Sequence, residues 1–368
     1  MVGVESQKLS VLSVGFLNTF WQCWQRHAMG GDVSGLIARE LTEGEWDRWD
    51  DWLAQQPWGS PFSSAWWLDA NCKAFGGRPL LLGVFDGDEL AGGVALRVRD
   101  AGFVHMAGFS ILYNSVVMAA RGTQRRQQAL GALVDDVARR RLVVPSLECT
   151  PDMVDLRQAV WHQWDLTASW TVMTALKTWT PRSCLSHGHW GTLKEAERSK
   201  IVSHVEPIDA GILWDLVTAT ILRQGVSLHQ SKKQLRSLVE AVGSHGMQVV
   251  VRDVDGTPLS TAFIMYHGTR VAYDVWAGTS GMGLTKGASV AMYVFGLGEL
   301  QARGFEYFDW CGANLPGVSD FKLRFGGALM TRLAISREPW WFKTAFAGYH
   351  SAKRVRSFLG RGEHDRKG

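Results

Sequence analysis

Three side chains in the last third of the sequence carry the most chemistry. Asp309 stands between aromatic residues in Tyr307-Phe308-Asp309-Trp310. A carboxylate on so apolar a strand is either a paired structural group or a polar group facing a cleft. Lys322 lies in Phe321-Lys322-Leu323-Arg324-Phe325. Read at period two, Lys322 and Arg324 share one side and the three apolar residues the other. That side is either a solvated face or a cation aimed at negative charge that develops in a transfer reaction. Asp274, in Tyr273-Asp274-Val275-Trp276, is a second carboxylate among aromatics.

A glycine-rich stretch, Gly278 to Gly287, runs from a strand end into a helix start. Free amides and the helix dipole favour an anion there, so Lys286, Gly287 and Ser289 form a candidate phosphate loop for a donor. An ordinary turn accounts for the same residues, and the stretch matches neither the phosphate-loop nor the dinucleotide fingerprint. Cys184, His187 and His189 have ligand chemistry but lack an evident fourth partner, so no metal is expected. Cys311 beside the Asp309 strand is expected to be an inert thiol, since no cation or helix start is evident to lower its pKa.

Elements must hold these groups. In the first half, a strand at Gly35–Leu41 and a helix at Glu43–Gln55 precede a second helix through Phe75, capped by Ser63 or Ser64. Pro79–Phe85 and Leu90–Arg97 read as a hairpin across Asp86-Gly87-Asp88. Strand-like pieces, a helix at Thr123–Arg140 and a strand near Val143–Cys149 follow. The second half repeats the scheme with a hairpin at Met247–Val254 and Pro258–Tyr266, a strand at Arg270–Trp276, a helix at Ala288–Ala302 and a strand at Phe305–Trp310. Hairpin, strand, helix, strand, found twice, predicts two α/β (α+β) domains with mixed sheets.

The chain has 368 residues, which suits about two domains at ~100–200 residues each. A hydrophobic content of 46% excludes a mostly disordered chain. Five scattered cysteines without a CxxC argue against a disulfide framework and make a reducing cytoplasm the expectation. No apolar run approaches the ~20 residues of a membrane span. Among 18 tryptophans, the pairs Trp66-Trp67 and Trp340-Trp341 either pack in the core or line a ligand groove. The net charge of +4 is uneven: residues 343–368 hold seven Lys/Arg and two Asp/Glu, a net of +5, leaving −1 for the rest. That tail packs on the body, touches an anionic membrane or meets RNA. The arginines at 121, 125, 126 and 139–141 are either a solvated face or contacts to a phosphate backbone. The expected division is a flexible extension at 1–34, domains at 35–180 and 181–342, and the basic tail at 343–368.

The ordered set Tyr273-x-x-Trp276-x-Gly278-Thr279-Ser280, helix, Tyr307-Phe308-Asp309-Trp310-x-Gly312, Phe321-Lys322-x-x-Phe325-Gly326 resembles the FemABX family. More loosely, Leu193-Lys194-Glu195-Ala196-Glu197-Arg198 resembles the basic helix that opens the family's second domain. The good match covers about residues 266–329; the first half agrees in element order. The resemblance implies two tandem GNAT-like acyltransferase domains, acceptor side first and donor side second. It implies amide formation by transfer of an aminoacyl group from aminoacyl-tRNA to a primary amine, with no tightly bound cofactor. Lys322 then falls on the family's Phe-Lys lysine, near the donor ester. Asp309 falls on the Asp of the strand motif, and Tyr273 and Trp276 on the cleft strand's aromatic positions. Arg198, Asn314 and Arg324 join the expected substrate contacts.

There are departures. Asp274 replaces a usual aromatic, residues 111–115 replace a Pro-Gly-rich strand, and no tRNA-synthetase-like helical arm is present. Lys322 is expected to stabilise the oxyanion or leaving oxygen, with Asp309 or Asp274 taking the amine's proton. An acyl-CoA-dependent N-acyltransferase and an inactive GNAT-like binding module are the alternatives.

Overall fold

The computed structural model describes residues 35–344 apart from 103, 109–112, 114, 120–121 and 226–229. The expected extension at 1–34 and the tail beyond residue 344 lie outside the described residues. The chain opens on β1 (Leu36–Glu40), α1 (Trp46–Gln55) and α2 (Ala65–Phe75). Ser64 caps α2: its hydroxyl accepts from the Trp67 amide at 3.2 Å, satisfying a donor that the helix start leaves free. β2 (Arg78–Asp86) and β3 (Glu89–Ala101) form the expected hairpin, with Gly87 at φ 61 supplying the left-handed turn residue. Next come β4 (Val104–Ala107), β5 (Val117–Met118), α3 (Thr123–Arg139) and β6 (Val144–Glu148).

Along β2, Leu80, Leu82 and Val84 pack into the core beneath α3, whereas Leu81 and Phe85 pack with Trp49 and Leu68 of α1 and α2. This alternation buries both faces of the first sheet, ordered β1-β2-β3-β4 with β5 on β3.

The chain continues through α4 (Arg157–Trp161), β7 (Asp165–Ala175), α5 (Pro181–Cys184), α6 (His187–Arg198), β8 (Val202–Glu206), α7 (Ala210–Arg223) and α8 (Lys232–Val242). Then follow β9 (Gly246–Arg252), β10 (Pro258–Tyr266), β11 (Val271–Thr279), α9 (Gly281–Thr285), α10 (Ala288–Ala302), β12 (Tyr307–Asp309), α11 (Pro316–Leu323) and β13 (Ala328–Arg337). The second sheet is ordered β6-β13-β7-β12-β11-β10-β9-β8. It draws β6 and β7 from before residue 181, so the two halves share strands. On one face, Val249, Ala262, Ile264 and Ala272 pack on α10. On the other, Phe263, Met265 and Tyr273 pack on α7, α8 and Trp67 of α2, which forms the seam between the halves.

Two local expectations are overturned. The stretch around Lys322 is a helix, not an alternating strand: Pro316 pre-sets the first turn, and Asp320 and Arg324 pair four residues apart. Phe321 and Phe325, also four apart, meet across the helix end with ring centres 5.3 Å apart, which is why alternation and helix were both compatible with the letters. Lys322 and Arg324, two apart on a helix, then point in different directions. The glycine-rich stretch is not one loop either: β11 runs through Thr279, and α9 follows with Ser280 as its N-cap.

Candidate active site

β11 and β12 are parallel partners over Val271–Tyr307, Ala272–Phe308 and Tyr273–Asp309, and then part. β11 keeps its pairing with β10. The chain after β12 instead follows β7, with the Trp310 amide on the Val172 carbonyl at 3.0 Å and the Ala313 amide on the Trp170 carbonyl at 2.7 Å. The split opens at the carboxyl ends of two parallel strands, where α/β sheets commonly bind ligands. A bulge sharpens it. Phe263 pairs with Trp276 and Ile264 with Asp274, so Val275 is an extra residue. Tyr273 and Trp276 therefore face the same seam although they are three apart, and Asp274 faces α10.

Asp274 and Asp309 thus reach the split from opposite faces of the sheet. Asp309 is 1% exposed, and its Oδ1 accepts from Thr171 Oγ1 (2.5 Å), the Cys311 amide (2.8 Å) and Tyr113 Oη (3.3 Å). Burial raises its pKa, opposed by the Thr171 and Cys311 donors and by the Arg332 and Lys322 cations. Asp274 is 8% exposed; its Oδ2 accepts from Tyr293 Oη at 2.7 Å, while its Oδ1 has no hydrogen-bond partner among the described residues. Burial pushes its carboxyl up to about 6, with Lys322 and Tyr293 acting in the other direction. Asp309 thus takes three donors on one oxygen, and Asp274 takes one donor on one oxygen.

Lys322 projects from α11 onto the end of β12, where Nζ donates to the carbonyls of Trp310 (2.5 Å) and Gly312 (2.8 Å). Its ammonium holds the turn after β12 and brings positive charge to both carboxylates. In that turn Cys311 has φ 54, an uncommon conformation for a residue with a side chain. Burial and the two aspartates push the Cys311 thiol well up, the behaviour of an inert thiol rather than a nucleophile.

The remaining candidates separate. Trp276 stacks on Phe263 at 5.7 Å, beside Tyr273 on the seam. Asn314 lies just beyond the turn, its Oδ1 accepting from the Trp170 amide at 3.0 Å. Arg324 pairs with Asp320 (2.5 Å) and Arg198 with Glu195 (2.9 Å), each on its own helix. Lys286 gives its ammonium to Asp253 at 2.6 Å. Gly287 has φ 72, and a Cβ there would lie 2.5 Å from the Thr192 carbonyl oxygen, so α6 fills the space beside it. Ser289 is half-buried in the first turn of α10. Arg125, Arg126, Arg139 and Arg140 each pair with a carboxylate. Of the tryptophan pairs, Trp67 is core and Trp66 stacks on His245, whereas Trp340 is exposed.

Sequence reasoning did not single out Thr171, Tyr113, Tyr293 or Arg332. Arg332 is buried, pairs with Glu148 and lies 3.4 Å from the centre of the Tyr113 ring. None of the four belongs to a local motif; each reaches the site from a different element. The first half has a related opening, about 190 Å³, between β5 and the chain after β6, lined by Trp58, Met118, Arg126, Thr150 and Asp152. It contains none of Asp274, Asp309 and Lys322.

No family model matches the sequence, and no curated protein matches it. Solved structures do match. The crystal structure of FemX aligns with TM-score 0.63 at 13% identity, over 80% of this chain and 96% of FemX. The C-terminal domain of a putative lysylphosphatidylglycerol synthetase from Agrobacterium fabrum aligns with TM-score 0.50 at 11% identity, over 69% of this chain and 84% of that one. A conserved protein of unknown function from Bacteroides thetaiotaomicron aligns with TM-score 0.51 at 10% identity, over 82% of this chain and 99% of that one. With its hairpin–strand–helix–strand order occurring twice, the chain has the fold of FemX, two α/β units in tandem.

Proposed function

We propose that this chain is an acyltransferase that forms an amide bond, moving an aminoacyl group from aminoacyl-tRNA to a primary amine. The observation that carries the reading is the buried Asp274 carboxylate, with one oxygen unpartnered, beside the Lys322 ammonium where β11 and β12 part. An amine must be neutral to attack an ester. Asp274, raised to about 6, is largely ionised at neutral pH yet basic enough to accept the amine's proton. The nitrogen forms a bond to the carbonyl carbon, and the carbonyl oxygen takes up negative charge that Lys322 is placed to stabilise. The carbon–oxygen ester bond then breaks, and the ribose oxygen leaves as a hydroxyl with the proton that Asp274 took from the amine, which returns Asp274 to its ionised form. Because the donor is already activated, orientation supplies much of the remaining rate. Asp309, whose Oδ1 accepts from three donors including the Cys311 amide, acts as a positioning residue for the Cys311 turn.

The likeness to FemX agrees with the FemABX resemblance of the cleft motifs. The Lys286–Asp253 pair and the filled space at Gly287 favour the aminoacyl ester over acyl-CoA, because they leave little cationic capacity for a pyrophosphate at the α10 start. The acyl-CoA reading remains the alternative, since the start of α10, like any helix N-terminus, favours an anion. Incubation with each donor and a mixed amine library decides between them. RNase-sensitive product supports the proposal; RNase-resistant product that requires the CoA thioester overturns its donor, and no product with either overturns the activity.

A further inference from the structure

A second feature lies outside the cleft, along the free edge of β7. β12 is only three residues long and pairs with β7 at Met173–Ala175, so Asp165–Ser169 have β13 on one side and no strand on the other among the described residues. Leu166 and Trp170 have the same parity on β7, and Leu329 of β13 opposes Val172. All three therefore lie on one face of the pair, and all three are exposed. Leu315, 63% exposed, follows Asn314, which is hydrogen-bonded to Trp170. At the other end the chain leaving β13 turns helical and presents Trp340 at 79% exposure, with Trp341 beside it. Lys343 ties that segment to Asp165 of β7 at 2.5 Å. Leu166, Trp170 and Leu329 thus form an exposed apolar patch on one face of the β7–β13 pair, with Leu315 near one end of it and Trp340 near the other, at the root of the tail.

Charge identifies what this patch faces. Residues 343–368 carry a net +5 while the rest of the chain carries −1, so the positive charge is joined to the patch rather than spread over the surface. Exposed tryptophan and leucine beside a basic cluster match the interface of an anionic bilayer, where indole rings sit at headgroup depth and Lys/Arg meet lipid phosphates. RNA would account for the basic residues but not for exposed leucines. We infer that the β7 edge and Trp340 form a docking surface for an anionic lipid bilayer, held there jointly by the basic tail.

The test uses the full chain and co-sedimentation with vesicles of phosphatidylcholine alone or mixed with phosphatidylglycerol. Binding is expected only with phosphatidylglycerol and should weaken as salt screens the tail. The Trp340→Ser, Trp170→Ser double variant is expected to weaken binding by about tenfold or more, because two interfacial indoles are lost. Both sites are exposed, and unchanged circular dichroism checks that the fold is kept. Three results would overturn the inference. These are no binding to the mixed vesicles, binding that the tryptophan substitutions leave unchanged, and tryptophan-dependent self-association or RNA binding in place of vesicle binding.

Discussion

Asp274→Asn is the most exacting test, because the same carboxylate is assigned a catalytic benefit and a folding cost. The substitution keeps the size of the side chain and leaves an oxygen for Tyr293 Oη, now 2.7 Å away. It removes the base, and a positioned general base is worth about 10²–10⁴ in rate. The folding side has the opposite sign. Burial raises Asp274 from its ordinary 3.8 to about 6. A carboxyl whose pKa is higher folded than unfolded supports the fold below the unfolded value and loses that support as pH rises through the folded one. Raised by roughly two pH units at about 1.4 kcal/mol each, the ionised group costs the folded state about 3 kcal/mol at neutral pH. Asp274→Asn should therefore lose turnover while gaining as much as about 3 kcal/mol of stability in urea unfolding, with the gain shrinking toward zero as pH falls from about 6 to 3.8. The wild-type rate should climb through an apparent pKa near 6, and the variant's residual rate should lack that limb. Turnover within tenfold of wild type would refute the base assignment, and a lower unfolding midpoint at neutral pH would refute the buried-charge reasoning.

Lys322→Met should lower kcat by about 10²–10³ with a smaller change in KM, if its cation acts on charge that develops during transfer; a change confined to KM would count against that role. Gly287→Ala puts a side chain at φ 72 against the Thr192 carbonyl, and should cost at least about 2 kcal/mol in urea unfolding. At the seam, His267 Nε2 lies 2.9 Å from the Asp50 carbonyl, and His245 stacks on Trp66. Burial depresses both imidazoles below their ordinary 6.5, so the support their neutral forms give the fold is present above that value and lost as pH falls through the depressed ones. Asp50, raised to about 6 by burial, contributes with the opposite sign. His267→Gln, which keeps a donor for the carbonyl, should flatten the fall of Tm below pH 6.5, and an unchanged slope would show that His267 does not titrate with unfolding.

Much of the scaffold was readable where the signal is local. Asp86-Gly87-Asp88 announced its hairpin because few residues other than glycine tolerate φ 61 in so short a loop. The apolar run from Ala288 to Ala302 has the length of a helix, and the structure makes it α10. The aromatic strand around Asp309 was equally plain. β7 was not: its Leu166-Thr167-Ala168-Ser169-Trp170 start has weak strand character, and pairing with β13 and β12 makes it a strand. Around Lys322, letters spaced two and four apart satisfied both periods, and Pro316 with the Asp320–Arg324 pair decided for the helix.

The site divides in the same way. Its residue types stood out in sequence because a carboxylate or ammonium among aromatics is costly unless it is paired or used. Which aspartate is free was a different matter. That depended on Thr171, Tyr113 and the Cys311 amide closing on Asp309 Oδ1, while among the described residues Tyr293 met Asp274. Those partners lie up to 196 positions apart in the chain. The sequence by itself determined the chemistry available and the order of elements that could carry it, because propensity, turn geometry and charge act over a few neighbouring residues. Only the tertiary structure decided how that chemistry is shared out, because hydrogen-bond satisfaction and desolvation depend on whichever strands and helices are brought together in space.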